Sequence, residues 1–481
     1  MTIENLLEGI EYKCDLLPQA QITSITTDSR KVAEGWVFVC VAGEAVDGHD
    51  FAQAAAKKGC VAIVAERQTG ADAPHIIVEN SRVAYSIICA NYFGNPARRL
   101  KLIGVTGTNG KTTTTFLIKE ILEYNHHKTG LIGTIQNMSG DEVLPAQYTT
   151  PEPFELQQLF KKIADAGCEY AVMEVSSHAL AQERVTGCRF YASIFTNLTQ
   201  DHLDYHNTME NYLAAKKRLF DMSDIGIINL DDSYSSAFIT AAPCRTVTYS
   251  TKLMSADYTA CNIKLRQDGI DYELVGMGVI GRVSTVIPGE FSVYNTLAAA
   301  ACSVTLGIPF AGVIDALGAV KGVKGRIEVV PTGRDFTIII DYAHTPDALE
   351  KILKAIKGFS KGRIVALFGC GGDRDKTKRP IMGNVVAQNS DFSIVTSDNP
   401  RTENAAKIIE DILVGMNGTK TPFIVIENRH EAIEYAIKNA KHNDIILLAG
   451  KGHEDYQIIG HEKHHFDERE VVAEILILIP N

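Results

Sequence analysis

Residues 104–115, GVTGTNGKTTTT, carry the residue types of a phosphate cradle. Glycines let backbone N–H groups come close to an anion, a lysine can reach terminal phosphates, and the hydroxyl after it can ligate magnesium. Gly107, Thr108, Asn109, Gly110, Lys111, Thr112 and Thr113 are therefore candidate phosphate-binding residues. The spacing is unusual. Counted back from Gly110-Lys111-Thr112, Val105 stands where the G-x-x-x-x-G-K-[ST] pattern has its first glycine, and Gly107 comes two residues late. A plain Gly-rich turn with an exposed lysine is the simpler reading, but the intact G-K-T between an apolar run and a helical one weighs against it.

Other segments could add metal or acid–base chemistry. EYAVMEVSSHAL reads as a strand ending at Glu174, whose carboxylate could hold magnesium or simply be solvated. NLTQDHLDYH gathers Asp201, His202, Asp204 and His206, and for any one of them a polar loop is the simpler account. In MENYLAAKKRLF, the residues Met209, Tyr212, Leu213, Leu219 and Phe220 form an apolar helical stripe, and Lys216 falls on it. A semi-buried lysine tends to lose its proton, and a neutral amine can form a carbamate with carbon dioxide. From pattern alone, a lysine snorkelling at the stripe's edge is favoured. Thr149-Thr150-Pro151 reads readily as a helix cap. In SDNPRTE, Asn-Pro favours a turn that would project Arg401. GHEKHHFDERE is expected to be an exposed His-rich turn rather than a metal site.

These residues need elements to place them. The chain has 481 residues, room for about three domains of ~150 each. Strand-like and helix-like stretches alternate, which predicts α/β layers. The expected division is 1–98, 99–325 and 326–481, with FGNPARR as a linker and the Gly- and Lys-rich 321–328 as the second break. LIGV is predicted as a strand and TTTTFLIKEIL as a helix. In the last block, FTIIIDYAH, GRIVALFGCGG, FSIVTSDNPR and DIILLAGKGHE each run from an apolar strand into a polar loop. Ligands of open α/β sheets sit at those carboxyl ends. Net charge is −11, which disfavours nucleic acid and anionic membranes as partners. No apolar run approaches the ~18 residues of a membrane helix. The start of the chain lacks the basic segment of a signal peptide. Ten scattered cysteines without a C-x-x-C pair suggest free thiols in a reducing cytoplasm.

Eleven pieces occur in order: TGTNGKTT, TTPEP, MEVSSHAL, TNLTQDHLDYH, YLAAKKRLF, PGEFSVYNTLAA, GRIE, DYAHTPDA, GGDRDKTKRP, DNPR and GKGHEDYQ. Together they resemble the Mur ligase family, and within it the diaminopimelate-adding branch, from about residue 24 to about residue 470. The resemblance implies three α/β domains: a smaller N-terminal one, a central P-loop ATPase domain with a mostly parallel sheet, and a Rossmann-like C-terminal one. It implies an ATP-dependent amide ligase of peptidoglycan precursor synthesis, with magnesium as cofactor. Its expected partners are UDP-MurNAc-L-Ala-D-Glu, meso-diaminopimelate and ATP, and a monomer is the default expectation.

The resemblance also assigns roles. Lys111, Glu174, His202 and Lys216 would be catalytic, and Thr112, Glu174, His202 and Lys216 would hold metal, with Lys216 an N6-carboxylysine. Asn295, Arg326 and Asp341 would add nucleotide contacts; Ser292 departs from the asparagine common at its position and receives no role. Ser29 and Arg30 would meet the uridine diphosphate, and Thr149, Thr150, Ser176 and Arg184 the muramoyl-dipeptide. Arg374, Asp398, Asn399, Pro400, Arg401, Gly450 and Glu454 would bind diaminopimelate, with Arg401 pairing bidentately with the distal carboxylate and Glu454 meeting the distal ammonium. The base that deprotonates the attacking amine is not named by the sequence; His202, His206 and His344 lie in motif loops. The rival within the family is the L-lysine-adding ligase, which only Arg401 and its neighbours disfavour. A P-loop switch or transport ATPase is disfavoured by Val105, and a catalytically dead binding protein by the presence of Lys111, Glu174 and Lys216.

Overall fold

The computed structural model describes residues 1–43, 46–241 and 243–479. The chain divides into two compact units, Met1–Tyr249 with Ala298–Ile308, and Ser250–Leu297 with Pro309–Asn481. Residues near 98 and 325, where the sequence suggested breaks, lie inside these units. FGNPARR is partly ordered as a short 3-10 turn, Pro96–Arg99.

The first unit holds two sheets. Five strands run in the order Tyr12–Lys13, His75–Val78, Ala62–Ala65, Trp36–Val39, Ser24–Thr26. All are parallel except the first. Val37, Val39, Val64 and Ile76 pack on Ile88 of the Ser81–Tyr92 helix. Asn80 starts that helix by accepting from the Arg82 and Val83 N–H groups.

The second sheet places the phosphate loop. Its strands Thr129–Ile132, Tyr170–Glu174, Lys101–Thr106, Phe190–Phe195, Ser223–Asn229 and Arg245–Ser250 lie side by side in that order, all parallel. Lys101–Thr106 is central and buried beyond its first residue. That is why LIGV reads as a continuous apolar run rather than an alternating one. The predicted helix follows as Lys111–Tyr124, with Leu117, Ile118, Ile121 and Leu122 buried.

The second unit contains an antiparallel meander, Tyr258–Arg266, Gly269–Gly276 and Val279–Thr285. Its larger sheet has the order Glu328–Val330, Thr337–Asp341, Ile445–Ala449, Ile364–Phe368, Phe392–Val395, Phe423–Val425, parallel but for the first strand. Side chains alternate between its faces with period two. Ile339, Ala366, Phe368 and Leu447 meet Leu353, Ile356, Val386 and Ile412 on one side. Ile338, Ile340, Leu367 and Leu448 meet Ile433, Val472 and Ile475 on the other. Each of these side chains larger than alanine contributes roughly 1.5–3 kcal/mol of burial. Helices cover both faces, so the polar loops at the carboxyl ends are left to bind ligands. The His-rich GHEKHH segment is exposed and supplies the turn, Gly460 and His461, and the second strand of a hairpin, Tyr456–Ile459 with Glu462–His465.

Candidate active site

Register explains the missing first glycine. Val105 is paired strand, opposite Glu174 on one side and Ile194 on the other, and fully buried. The loop begins only at Gly107. There φ is +146°, and a Cβ would stand 2.0 Å from Thr196 Oγ1. No side chain fits in that space. The residues after the neighbouring strand hold the loop in shape: Thr108 N donates to the Asn197 carbonyl at 2.8 Å, Asn109 N to Asn197 Oδ1 at 2.9 Å, and Thr196 Oγ1 to the Asn109 carbonyl at 2.7 Å. Lys111 Nζ folds back onto the Gly107 and Thr108 carbonyls at 3.0 and 2.9 Å.

Thr112, in the first turn of the helix, donates its hydroxyl to Glu174 Oε2 at 2.9 Å. Glu174 is buried and ordered at its strand end, not solvated. It also accepts from Thr134 N at 2.8 Å and Thr134 Oγ1 at 3.1 Å. Thr134 was not singled out from the sequence; its role depends on a loop meeting a strand 40 residues away. The Thr112–Glu174 oxygen pair fits a hard cation such as magnesium. Among the described residues no group of three or more His, Cys, Asp or Glu side chains is arranged for a metal. Magnesium does not need one, since it usually takes one or two carboxylates plus substrate phosphates and water.

Lys216 does not snorkel. It is buried, its Nζ donating to the Gly107 carbonyl at 2.8 Å and lying 4.6 Å from the centre of the Tyr212 ring. Burial, and then the charge of Lys111, push its ammonium well below the usual lysine range. Tyr212 in turn meets Thr108 through its hydroxyl at 3.2 Å. His202 is half exposed, left-handed at φ +53°, and begins the short Leu203–His206 helix. Its ring touches His178, which also meets Tyr205 and His206. His206 is buried, 2.9 Å from Ser177 Oγ, and held down to about 4 by burial and by His178, Lys216 and His202.

Thr149, Thr150, Ser176 and Arg184 converge on the same place. Thr150 Oγ1 donates to the Glu174 carbonyl at 2.9 Å, and Ser176 N donates to Thr150 Oγ1 at 3.0 Å. Arg184 donates to the Thr150 carbonyl at 2.9 Å and pairs with Glu152 at 2.7 Å. Thr149 Oγ1 lies 3.0 Å from Thr134 Oγ1. The capping reading of Thr149-Thr150 does not hold: the Pro153–Asp165 helix has Glu152 at its cap position. Ser29 and Arg30 lie instead in the turn that follows the Ser24–Thr26 strand of the five-stranded sheet. Arg30 is exposed and forks onto Asp28, both contacts at 2.9 Å, and this pairing holds the Asp28 carboxyl down to about 2.

In the second unit, Asp398, Asn399 and Glu454 meet at the carboxyl ends of Phe392–Val395 and Ile445–Ala449, beside Gly450, where φ is +114°. Asn399 Nδ2 donates to Glu454 Oε2 at 2.9 Å. Between them sits Lys451, fully buried and overlooked in the sequence although the GKGHE motif contains it. Pro400 is buried, and Arg401 follows it at φ +51°, donating to the Gly372 carbonyl at 2.9 Å. Arg374 is exposed, donates to the Asp373 carbonyl and forms no hydrogen bond with this group. Asp341 accepts from Ile327 N and Ala343 N at 2.9 and 2.8 Å, and burial raises its carboxyl. Arg326 lies over the Tyr342 ring, 5.5 Å from its centre. His344 Nδ1 lies 2.8 Å from the Tyr342 carbonyl. Asn295 is buried on the Glu290–Thr305 helix, and Ser292 on that helix bonds the Pro288 carbonyl.

A phosphate loop braced by its neighbouring strand, with a buried carboxylate on its threonine, defines a P-loop enzyme domain that handles nucleotide phosphates. Comparison with known proteins narrows the class. Residues 21–93 match the model of the Mur ligase family catalytic domain, 105–303 the Mur ligase middle domain and 325–452 the Mur ligase glutamate ligase domain. The UDP-N-acetylmuramoyl-L-alanyl-D-glutamate–2,6-diaminopimelate ligase of Caldanaerobacter subterraneus subsp. tengcongensis is 47% identical over 479 residues, 99% of each chain. The Bacillus cereus enzyme of the same name is 46% identical, covering 95% of this chain and 94% of its own. A solved structure of a ligase of that name superposes with a TM-score of 0.74 at 31% identity, covering 99% of both chains. The chain belongs to the Mur ligase family and has its three-domain α/β fold.

Proposed function

We propose that this chain is an ADP-forming amide ligase that adds meso-diaminopimelate to the D-glutamate γ-carboxylate of UDP-MurNAc-L-Ala-D-Glu, a step of peptidoglycan precursor synthesis. The observation that carries the choice of amino acid is that Arg401, on the Gly372 carbonyl, lies near enough for its charge to act on the Glu454 carboxylate, which Asn399 holds. A cation and an anion at one strand-end cluster suit the zwitterionic end of diaminopimelate, whereas lysine ends in a bare ammonium. The names of the relatives point the same way.

The γ-phosphoryl group of ATP would pass to the γ-carboxylate, and the amine of diaminopimelate would attack the acyl phosphate, releasing phosphate. Residues 107–113 would cradle the phosphates with backbone N–H groups. Lys111 would leave the Gly107 and Thr108 carbonyls to meet the transferring phosphoryl group. Thr112 and Glu174 would hold magnesium, with His202 and a carbamylated Lys216 as further ligands, and the ion would offset phosphate charge when bound. Thr149, Thr150, Ser176 and Arg184 would orient the dipeptide carboxylate, and Ser29 and Arg30 the uridine diphosphate. Asn295, Arg326 and Asp341 would be nucleotide contacts of the second unit. Three family-model matches support the division 1–98, 99–325 and 326–481. No helix among the described residues is long and apolar enough to cross a membrane; we infer a monomer working in the cytoplasm.

ADP release with UDP-MurNAc-L-Ala-D-Glu, ATP and magnesium tests the reading, with meso-diaminopimelate, L-lysine or no amino acid added. Stimulation by diaminopimelate alone is expected. Stimulation by lysine would overturn the specificity, and stimulation by neither would overturn the assignment of substrate.

A further inference from the structure

Lys451 has no role in the reading above, yet its charge is fully buried beside the amino-acid loops. Its side chain is 0% exposed. Removing an ammonium from water costs several kcal/mol unless partners repay it, so its partners matter. Nζ donates to Tyr456 O at 2.7 Å and Asn399 Oδ1 at 3.0 Å. It stands 3.3 Å from Asp398 Oδ1 and 3.7 Å from Glu454 Oε2. Asp398 Oδ1 is buried and has no well-directed hydrogen bond, so that contact is ionic rather than a bond. Two carboxylates therefore flank one ammonium.

Asn399 transmits the effect. Its Oδ1 accepts from Lys451 Nζ and also from Ile458 N at 3.0 Å. Both groups donate only, so the amide cannot flip, and Nδ2 must face Glu454. With Lys451 charged, Asp398, Glu454 and Lys451 together carry one net negative charge. That leaves room for one ammonium on the incoming amino acid, beside the cation of Arg401.

We propose that Lys451 is a positioning residue of the amino-acid pocket: it orients Asn399, and through it Glu454, and it sets the local charge so that a single side-chain ammonium is bound. The inference rests on the diaminopimelate reading of this site. Without the lysine charge, the two carboxylates lose the ammonium that stands between them, and Asn399 Oδ1 keeps only the Ile458 N–H as a donor.

Lys451→Gln keeps an amide donor for Tyr456 and removes the charge; Lys451→Met removes both. Steady-state ADP release with each substrate varied in turn is the measurement. In Lys451→Gln the KM for meso-diaminopimelate should rise at least tenfold, with the KM values for ATP and the nucleotide substrate within twofold of wild type. Combining it with Glu454→Gln should add less than twofold to the KM of Glu454→Gln alone, because both act on one contact. An unchanged diaminopimelate KM in either folded variant overturns the inference, as does an equal rise in all three KM values or a multiplicative double variant. Wild-type protein with no diaminopimelate-dependent turnover instead sinks the reading of the site, and the inference with it.

Discussion

Lys111 and Lys216 donate to the same oxygen, the Gly107 carbonyl, at 3.0 and 2.8 Å. One arrives from the start of the loop's own helix, the other from a helix 105 residues later in the chain. Burial, and then the repulsion between two ammonium groups on one carbonyl, drive Lys216 towards its neutral form. A folded state that holds this lysine unprotonated binds fewer protons than the unfolded chain. Stability therefore rises as pH climbs towards the ordinary lysine range, and is lowest where Lys216 must be charged. Lys216→Met should raise the melting temperature at pH 7 and abolish ligase activity. A residue that costs stability and is needed for turnover serves chemistry, not folding. A lowered melting temperature would mean that Lys216 stabilises the fold instead.

Glu174 accepts three hydrogen bonds, one from Thr112 and two from Thr134. Glu174→Gln removes the charge that strengthens these bonds, and the Thr112 and Thr134 hydroxyls must rotate to accept from the new amide N–H. A stability loss of about 1–3 kcal/mol is expected, read by urea denaturation. Turnover should fall by roughly 10²–10³, the range for losing one electrostatic element of a catalytic site. A variant with wild-type kcat would remove Glu174 from the mechanism.

Arg401 sits at a left-handed backbone position with its guanidinium on the Gly372 carbonyl. Arg401→Lys keeps charge but loses the planar fork. The diaminopimelate KM should rise about 30-fold, roughly 2 kcal/mol for a charged hydrogen bond, while the ATP KM stays fixed. Equal loss for both substrates would point to a disturbed loop rather than a lost contact.

His453 gives the second unit an acid-sensitive element. Burial, then Arg326, Lys324 and Arg469, hold it down to about 4. The unfolded chain takes up that proton near pH 6.5. Between these values only the unfolded state is protonated, so stability is lost as pH falls from about 6.5 towards 4. His453→Gln should flatten part of that limb in urea midpoints measured against pH. A slope identical to wild type would show that His453 is protonated in the fold.

Much of the site was legible one segment at a time. G-K-T after an apolar run, a glutamate at a strand end and a lysine on an apolar stripe are local patterns, and strand and helix periods place them to within a residue or two. Arg401 was legible as a turn residue because Asn-Pro restricts the backbone before it. What spacing could not reveal was which patterns meet. Pattern alone favoured a snorkelling Lys216 and a capping Thr149-Thr150, because both judgements used neighbours in sequence. Thr150 instead bonds the Glu174 carbonyl, 24 residues on, and Lys216 bonds Gly107, 109 residues back.

The sequence by itself determined the α/β layering, the phosphate loop and the strand-end loops of the second unit, since burial on both faces of a parallel sheet demands continuous apolar strands ending in polar turns. Only the tertiary structure decided that Val105 pairs between Glu174 and Ile194, that Thr134 completes the Glu174 site, and that Lys451 lies between Asp398 and Glu454. Each of these depends on strand register or on contacts between distant segments, and a free energy that arises only when separate elements pack leaves no periodic trace in either one.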